Sequence, residues 1–236
     1  MTDHPQGPKT LAIDIGGSGL KMLVLDAAGN PITERTRKPT PKKPRPQAVL
    51  EVLHGMLPEH GEFDRVSAGF PGVVVEGEIR TAANLDPDWL GFNLAAALAE
   101  STGKPARVAN DADVQGLGSV AGQGVELVIT LGTGMGSALF LDGRLVPNLE
   151  LPHHPFHKGK TYEECLGDDA RKKLGNKKWS KLVQQAIGEL RETFNFRVLY
   201  IGGGNAEKLK FGLPADVQIV HNVSGLLGGI ALWRDP

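Results

Sequence analysis

The sequence is short of cysteine, of net charge and of long apolar runs. Its 236 residues contain one cysteine, Cys165, which excludes an internal disulfide and a zinc site built from several cysteines. Basic residues number 26 and acidic residues 27, so the molecule as a whole has no field that attracts a polyanion. No apolar run is long enough to span a bilayer, and residues 1–9 are polar rather than signal-like. We expect a cytoplasmic protein with no membrane or nucleic-acid partner.

Glycine, in contrast, is abundant, and the 31 glycines gather where strand-like runs end. A run over residues 11–15 is apolar except for Asp14 and stops at a glycine turn over residues 16–19. Residues 20–25 form a second strand-like run, and a turn at 29–31 leads into a predicted third strand at 32–36. The chain therefore opens on a glycine-linked hairpin.

The second half of the sequence repeats this order. A strand predicted at 126–131 is followed by a glycine turn at 132–136, a strand at 138–141, and a hairpin turn at 142–143 into a strand at 144–146. This echo predicts two similar lobes that face each other across a cleft, residues 1–113 and residues 114–236. A final helix at about 224–234, capped by Ser224, is a candidate for packing back on the first lobe.

Apolar spacing and capping residues predict the remaining elements. Asn93 is expected to cap a helix that runs to about Thr102 and ends at Gly103. A histidine-rich loop is expected between residue 146 and the helix that begins at about 179. The other predicted helices cover 47–57, the residues after 110, and about 179–194, and the other predicted strands cover 66–70, 107–109, 198–201 and 217–220.

Three phosphate-binding interpretations compete for the turn after Asp14. A dinucleotide-binding fingerprint needs a helix after its glycines, but the residues that follow Gly19 are strand-like. A P-loop needs Gly-Lys followed by Ser or Thr, whereas Lys21 lies between Leu20 and Met22. What remains is a tight hairpin whose backbone N–H groups can approach an anion, or a plain turn with no ligand. A matching turn in each half favours the anion-binding hairpin.

Several motifs together resemble the ROK sugar kinases, and most closely their polyphosphate glucokinase branch. The resemblance covers most of residues 11–151 and resumes weakly at residues 201–204 and the closing helix. The motifs are DIGGSGLK at 14–21, GFPG at 69–72, TAANLDPDW at 81–89, NDAD at 110–113, LGTGMGSALFLDG at 131–143 and LVPNLEL at 145–151. Each motif alone is weak, and the set is specific.

The resemblance implies an α/β protein of the actin-like ATPase, RNase H-like fold, with two similar lobes around a central cleft. It implies that Asp111 is the general base for the sugar 6-hydroxyl and that Asp14 faces the donor phosphates through Mg²⁺. The other implied donor-binding residues are Gly16, Gly17, Ser18, Gly19, Lys21, Gly132, Thr133, Gly134, Gly136, Gly203 and Gly204. The implied sugar-binding residues are Gly72, Asn84, Asn110, Asp111, Glu150 and His153.

Some positions have a simpler interpretation or depart from the family pattern. Asp111 could cap the following helix, and Asn84 could be a turn residue. Glu163 is interpreted as a surface-helix residue rather than a ligand. The family loop Glu-x-Gly-His is Glu150-Leu151-Pro152-His153 here, and proline cannot take the conformations open to glycine. His153, His154 and His157 are spaced as zinc ligands can be, although exposed loop histidines are the favoured interpretation.

Two basic runs bear on the phosphate donor. They consist of Arg35, Arg37, Lys38, Lys42, Lys43 and Arg45, and of Arg171, Lys172, Lys173, Lys177 and Lys178. Charge runs are often only solvated faces, but a polyphosphate chain needs successive cations as a nucleic-acid backbone does. With the branch resemblance, the runs favour inorganic polyphosphate, with ATP as a second donor, and glucose as the acceptor. A kinase for another hexose, a sugar-binding protein without turnover, and a homodimer remain open alternatives.

Overall fold

The computed structural model describes residues 7–82, 85–220, 226 and 228–233. The chain forms two compact units, the first comprising Met1–Gly118 with Gly225–Pro236 and the second Ser119–Ser224. The division falls slightly beyond residue 113 because the helix that starts at Asp111 packs on strands of the first unit.

The first unit is built on a five-stranded sheet. Strands β1, β2 and β3 are antiparallel, and β4 and β7 continue the sheet in parallel with β1, in the order β3-β2-β1-β4-β7. Phe70 and Trp89 lie in the core beneath it, with ring centroids 4.9 Å apart. The elements are β1 (Thr10–Ile15), β2 (Leu20–Leu25), β3 (Thr36–Lys38), α1 (Pro46–Met56), β4 (Arg65–Phe70), β5 (Val74–Val75), β6 (Glu78–Ile79), α2 (Leu94–Thr102), β7 (Ala106–Asn110) and α3 (Asp111–Leu117).

The second unit repeats this topology. Its sheet has the order β10-β9-β8-β13-β14, again an antiparallel meander joined to parallel strands. Helix α6 packs on it through an apolar face that includes the fully buried Trp179. The elements are β8 (Val125–Leu131), β9 (Met135–Leu141), β10 (Arg144–Val146), β11 (Pro155–His157), β12 (Lys160–Thr161), α4 (Tyr162–Leu166), α5 (Asp168–Leu174), α6 (Asn176–Phe194), β13 (Val198–Gly202) and β14 (Val217–Ile219).

The predicted third strand at 32–36 is wrong, since β3 covers Thr36–Lys38. Asp26 organises the turn before it by accepting hydrogen bonds from the backbone N–H groups of Ala28 and Asn30, each at 2.9 Å. The Thr33 hydroxyl then accepts the N–H of Val24 at 2.9 Å. In a regular pair of strands a backbone carbonyl would accept this N–H. Pairing resumes only at Thr36, opposite Met22.

The predicted histidine-rich loop is also wrong in part, because residues 155–174 contain the hairpin β11–β12 and the helices α4 and α5. Thr161 caps α4 in a capping box, with its side chain accepting the Glu164 N–H and Glu164 accepting the Thr161 N–H. None of the helices in the described part of the chain has the length and apolar character needed to cross a bilayer.

The segment predicted as a closing helix packs on the first unit, where Gly228–Trp233 is a 3-10 helix. Ser224, its predicted cap, lies outside the described residues. The Ser67 hydroxyl donates to the Gly229 carbonyl at 2.6 Å and accepts the Trp233 indole N–H at 2.8 Å. The guanidinium carbons of Arg65 and Arg107 lie 5.1 and 4.6 Å from the Trp233 ring centroid. These contacts fix the segment to β4 and β7.

A buried carboxylate organises the start of the second unit. Glu126 is fully buried and accepts backbone N–H groups of Ala121, Gly122 and Gln123 at 2.7–3.0 Å, with the Tyr200 hydroxyl at 3.0 Å. Burial alone would raise the pKa of Glu126, but these hydrogen bonds outweigh it and hold the pKa below its usual value. The loop before β8 is therefore held by an ionised side chain.

We expect Glu126→Gln to lower the free energy of unfolding by about 2 kcal/mol at pH 7, because an amide NH₂ would face backbone donors. A lowered folded-state pKa means that the carboxylate stabilises the fold above its unfolded pKa, and that this is lost as pH falls through the folded pKa. The difference between wild type and variant in urea unfolding should therefore shrink as the pH is lowered. The control is Glu192→Gln, at an exposed position. The prediction would be contradicted if Glu126→Gln lowered the free energy of unfolding no more than Glu192→Gln does.

Candidate active site

The first glycine turn joins β1 to β2 and carries a paired carboxylate and ammonium. Asp14 and Lys21 are opposite each other in the strand register, and Lys21 Nζ lies 2.7 Å from Asp14 Oδ2. The Gly16 N–H donates to the Gly19 carbonyl at 3.0 Å, which closes the turn. Within the described residues no acceptor faces the N–H groups of Gly17 and Ser18. These exposed donors suit a phosphate oxygen.

The single carboxylate at Asp14 and its surroundings are compatible with indirect binding of Mg²⁺. Its Oδ2 is bonded to Lys21, and the described residues contain no group of three or more acidic, histidine or cysteine side chains placed to enclose a metal. Mg²⁺ keeps several waters and takes few protein carboxylates when phosphates supply the remaining ligands. A single carboxylate beside a turn with exposed N–H donors is compatible with that coordination.

Asp111 and Asn110 lie where β7 passes into α3. Asn110 is the N-cap of α3, and its side-chain oxygen accepts the N–H of Ala112 at 2.8 Å, so the capping position belongs to Asn110. The same amide donates from Nδ2 to the Gly72 carbonyl at 3.1 Å. Asp111 is the first residue of the helix and is partly exposed. The first unit thus brings Gly72, Asn110 and Asp111 together.

Two glycines make that approach possible. A Cβ at Gly69 would lie 3.3 Å from the Asp111 Cα, and a Cβ at Gly72 would overlap the Thr81 carbonyl oxygen. Gly69 therefore lets β4 lie against Asp111, and Gly72 lets the backbone after β4 lie against the segment around residue 81. Asn84, predicted to bind the sugar, lies outside the described residues.

The second glycine turn joins β8 to β9 and is narrower than predicted. The Gly132 N–H donates to the Gly134 carbonyl at 3.0 Å, and β9 begins at Met135. Gly136 is therefore a strand residue, and its N–H already donates to the Thr130 hydroxyl at 3.0 Å. The turn consists of Gly132, Thr133 and Gly134, and the prediction that it extends to Gly136 is wrong.

Gly203 and Asn205 hold this second turn from the end of β13. Asn205 donates from its backbone N–H to the Leu131 carbonyl at 3.0 Å, and from Nδ2 to the Gly132 carbonyl at 3.2 Å. Gly203 has φ +86°, and a Cβ there would overlap the Leu131 carbonyl oxygen. At Gly204 no atom of the described residues lies within 4 Å of an added Cβ. Of the two predicted glycines, only Gly203 is required by close packing.

Asp168 links the second turn to α5. Its backbone N–H reaches the carbonyls of Gly132 and Thr133 at 3.1 and 3.2 Å, and its carboxylate is bonded to Lys172, Arg171 and Asn205. Hydrogen bonds from Lys172 and Arg171, in that order, lower the pKa of Asp168 to about 2. Nothing in the sequence pattern marked Asp168 or Asn205 as partners of the second turn, since the contacts of both with that turn join residues far apart in the chain.

Glu150, His153 and Glu163 form a cluster in the second unit. His153 Nε2 lies 3.1 Å from Glu150 Oε2, and His153 Nδ1 lies 3.7 Å from Glu163 Oε2. Pro152 is accommodated in the first turn of the 3-10 helix Leu151–His153. Residues three apart share one side of such a helix, which brings Glu150 and His153 together. Glu163 does lie on a helix, as predicted, but its carboxylate also contacts Gly134 of the second turn. It is a member of the cluster rather than a surface residue alone.

Four of the eleven cations in the basic runs pair with acidic neighbours in the described part of the chain. Lys38 lies 3.9 Å from Glu59, and Arg45 lies within 3.5 Å of Asp86 and Asp88. In the second run, Arg171 and Lys172 share Asp168. Arg37 differs: its guanidinium lies on the first glycine turn, with Nη2 3.2 Å from the Ser18 carbonyl.

Known sugar kinases are similar to this chain over most of its length. The sequence profile of the ROK family matches residues 10–147. Polyphosphate glucokinase of Mycobacterium tuberculosis (strain CDC 1551 / Oshkosh) is 32% identical over 233 residues, which cover 92% of this chain and 88% of that protein. N-acetylmannosamine kinase of Escherichia coli (strain SE11) is 32% identical over 146 residues, 58% of this chain and 49% of that protein.

A solved structure extends the likeness to the whole fold. Inorganic polyphosphate/ATP-glucomannokinase from Arthrobacter sp. strain KM has a TM-score of 0.85 and 34% identity, covering 97% of this chain and 100% of that one. The predicted family and the predicted actin-like ATPase fold are thereby confirmed. With a matching profile, a whole-length relative and a duplicated sheet topology, this chain belongs to the ROK family.

Proposed function

We propose that this protein transfers a phosphoryl group from inorganic polyphosphate, or from ATP, to the 6-hydroxyl of glucose. The comparisons support an enzyme that phosphorylates sugars, since the relatives named above are sugar kinases. The observation that carries the proposal is the placement of Asp111 at the start of α3, next to the contact between Asn110 and Gly72. A carboxylate held beside polar sugar-binding groups can accept a hydroxyl proton.

In this mechanism the chain aligns the reactants and neutralises charge, because phosphoryl transfer needs little covalent chemistry from the protein. Asp111 accepts the proton of the 6-hydroxyl as its oxygen attacks phosphorus, and the bond from phosphorus to the donor's next oxygen breaks. The products are a sugar 6-phosphate and a shortened polyphosphate or ADP. The proton leaves Asp111 for solvent.

Candidate binding groups occur in both units. In the first unit we assign donor phosphates to the exposed N–H groups of Gly17 and Ser18 with Lys21, and in the second to the turn at Gly132. Asn110 and the Gly72 backbone would bind sugar hydroxyls, as would the cluster of Glu150, His153 and Glu163. Mg²⁺ held through water at Asp14 would supply further positive charge to the phosphates.

The direct test is to incubate the protein with glucose and Mg²⁺ and to supply either polyphosphate or ATP. We expect glucose 6-phosphate with both donors and faster turnover with polyphosphate. Sugar binding without product from either donor would contradict the proposal and favour a binding protein without turnover.

Mannose is the second acceptor to test, because the name of the Arthrobacter relative includes mannose. The same assay with mannose and with N-acetylmannosamine distinguishes a glucokinase from a kinase for another hexose. Product from another hexose but none from glucose would replace the proposed acceptor and leave the phosphoryl-transfer chemistry intact.

A further inference from the structure

Arg37 extends a row of charged residues across three neighbouring strands of the first unit. Asp14 on β1 pairs with Lys21 on β2, and Lys21 pairs with Arg37 on β3. Directly paired residues of antiparallel strands project on the same side of a sheet. The row therefore places two cations and one carboxylate on one face, beside the first glycine turn.

The guanidinium of Arg37 lies against the turn itself. A Cβ at Gly19 would be 2.8 Å from both Nε and Nη2 of Arg37, so the planar group covers Gly19 at van der Waals distance. Its Nη2 donates to the Ser18 carbonyl at 3.2 Å. Thr40 braces the other end of the same turn by donating its hydroxyl to the Gly16 carbonyl at 2.5 Å. The position of Arg37 is thus set by the turn's backbone.

Among the residues that the structure describes, no acidic side chain compensates the charge of Arg37. Lys21 pairs with Asp14 at 2.7 Å, so those two charges cancel. No carboxylate of the described residues lies within 4.0 Å of the Arg37 guanidinium. Arg37 is exposed on β3, the edge strand of the sheet. A net positive charge therefore lies at the outer margin of a phosphate-binding turn.

We propose that Arg37 is a donor-selecting residue that binds the anionic chain of inorganic polyphosphate beyond the transferred phosphate. The proposal rests on the function proposed above. A polyphosphate carries charge on every phosphate along its length, whereas the phosphates of ATP end at an adenosine. A guanidinium presents a planar set of donors that matches two phosphate oxygens at once. Arg37 therefore contributes to polyphosphate use and little to ATP use.

Lys38 provides a matched control on the same strand. It pairs with Leu20, whose side chain is buried in the core, so its side chain starts on the opposite face of the sheet from Arg37. Its ammonium lies 3.9 Å from Glu59. Lys38→Gln removes one positive charge, as Arg37→Gln does, at the adjacent position of the same strand. Of these two residues, only Arg37 touches the turn.

The experiment measures KM for long-chain polyphosphate and for ATP in wild type, Arg37→Gln, Arg37→Lys and Lys38→Gln. We expect Arg37→Gln to raise KM for polyphosphate about tenfold, which is the low end of the range for a hydrogen bond to a charged group and suits an exposed contact. KM for ATP should stay within about twofold of wild type. The slope of log KM for polyphosphate against log salt should fall by roughly 0.7–0.9. Arg37→Lys should keep the wild-type slope and give an intermediate KM, because it keeps the charge and loses the planar group.

Three results would overturn the assignment. An equal effect of Lys38→Gln would show general attraction by net charge. An equal rise in KM for both donors would show that Arg37 only braces the turn. Unchanged KM for polyphosphate in Arg37→Gln would remove it from the donor site.

Failure of the proposed function remains separable from failure of this assignment. If wild type forms no sugar phosphate, equilibrium binding of end-labelled polyphosphate decides the role of Arg37 without turnover. About tenfold weaker binding by Arg37→Gln than by Lys38→Gln supports the assignment, and equal binding overturns it.

Discussion

Replacement of Asp111 by asparagine is expected to lower the rate of glucose phosphorylation by about 10²- to 10⁴-fold, the usual contribution of a general base. Asparagine has nearly the same shape and keeps an oxygen that can accept the Ala112 N–H, which lies 2.8 Å from Asp111 Oδ1. It cannot take a proton from the attacking hydroxyl. The effect should therefore fall on kcat, with glucose affinity and thermal stability close to wild type.

Steady-state kinetics with both donors, together with calorimetric glucose binding, check this expectation. Asp88→Asn is the control, since it makes the same charge change at an exposed position in the first unit. Turnover by Asp111→Asn within about tenfold of wild type would remove Asp111 from the role of base. Loss of sugar binding in the variant would instead make Asp111 a sugar-binding residue.

Gly203→Ala is expected to destabilise the second unit and to impair use of both donors. Its φ of +86° disfavours any residue with a Cβ, and the added atom would overlap the backbone of Leu131, one residue before the second turn. Backbone strain and overpacking together predict a loss of about 2–4 kcal/mol. Displacement of Leu131 also moves the Gly132 turn, so activity should fall further than stability alone explains.

The neighbouring Gly204→Ala is the matched control for stability. Within the part of the chain that the structure describes, nothing lies within 4 Å of a Cβ at Gly204, so the effect of Gly204→Ala on unfolding should stay within about 0.5 kcal/mol. Urea unfolding of the two variants, beside donor KM values, tests the pair. Equal stability of the two variants would contradict the assigned packing of Gly203 against Leu131.

Local signals predicted most of the regular structure. Asn93 caps α2 by accepting the Ala96 N–H at 2.8 Å, and Gly103 ends that helix in the left-handed conformation, both as predicted. The repeated strand and turn order predicted two sheets of the same topology, because adjacent strands joined by tight turns pair with each other. These features depend on residues close in sequence.

The errors have equally specific causes. The third strand was misplaced because the Thr33 side chain substitutes for a backbone acceptor, which no apolar pattern reveals. Helix α4 was missed although Thr161 and Glu164 have the residue types and the spacing of a capping box. The contact of Glu163 with His153 and Gly134 depends on the path of the chain between them, which single-sequence periodicity does not specify.

The docking of Trp233 against Arg65 and Arg107 has a consequence for the order in which the parts of the fold are synthesised. The first unit is discontinuous, since residues 228–233 join it only after the whole of the second unit has been translated. Domains generally fold as units, with N-terminal ones first as the nascent chain emerges. Here the N-terminal sheet emerges first but lacks its last packing partner, so the second unit can complete its own core earlier. The unit whose synthesis begins first therefore receives its last packing segment after the chain of the second unit is complete.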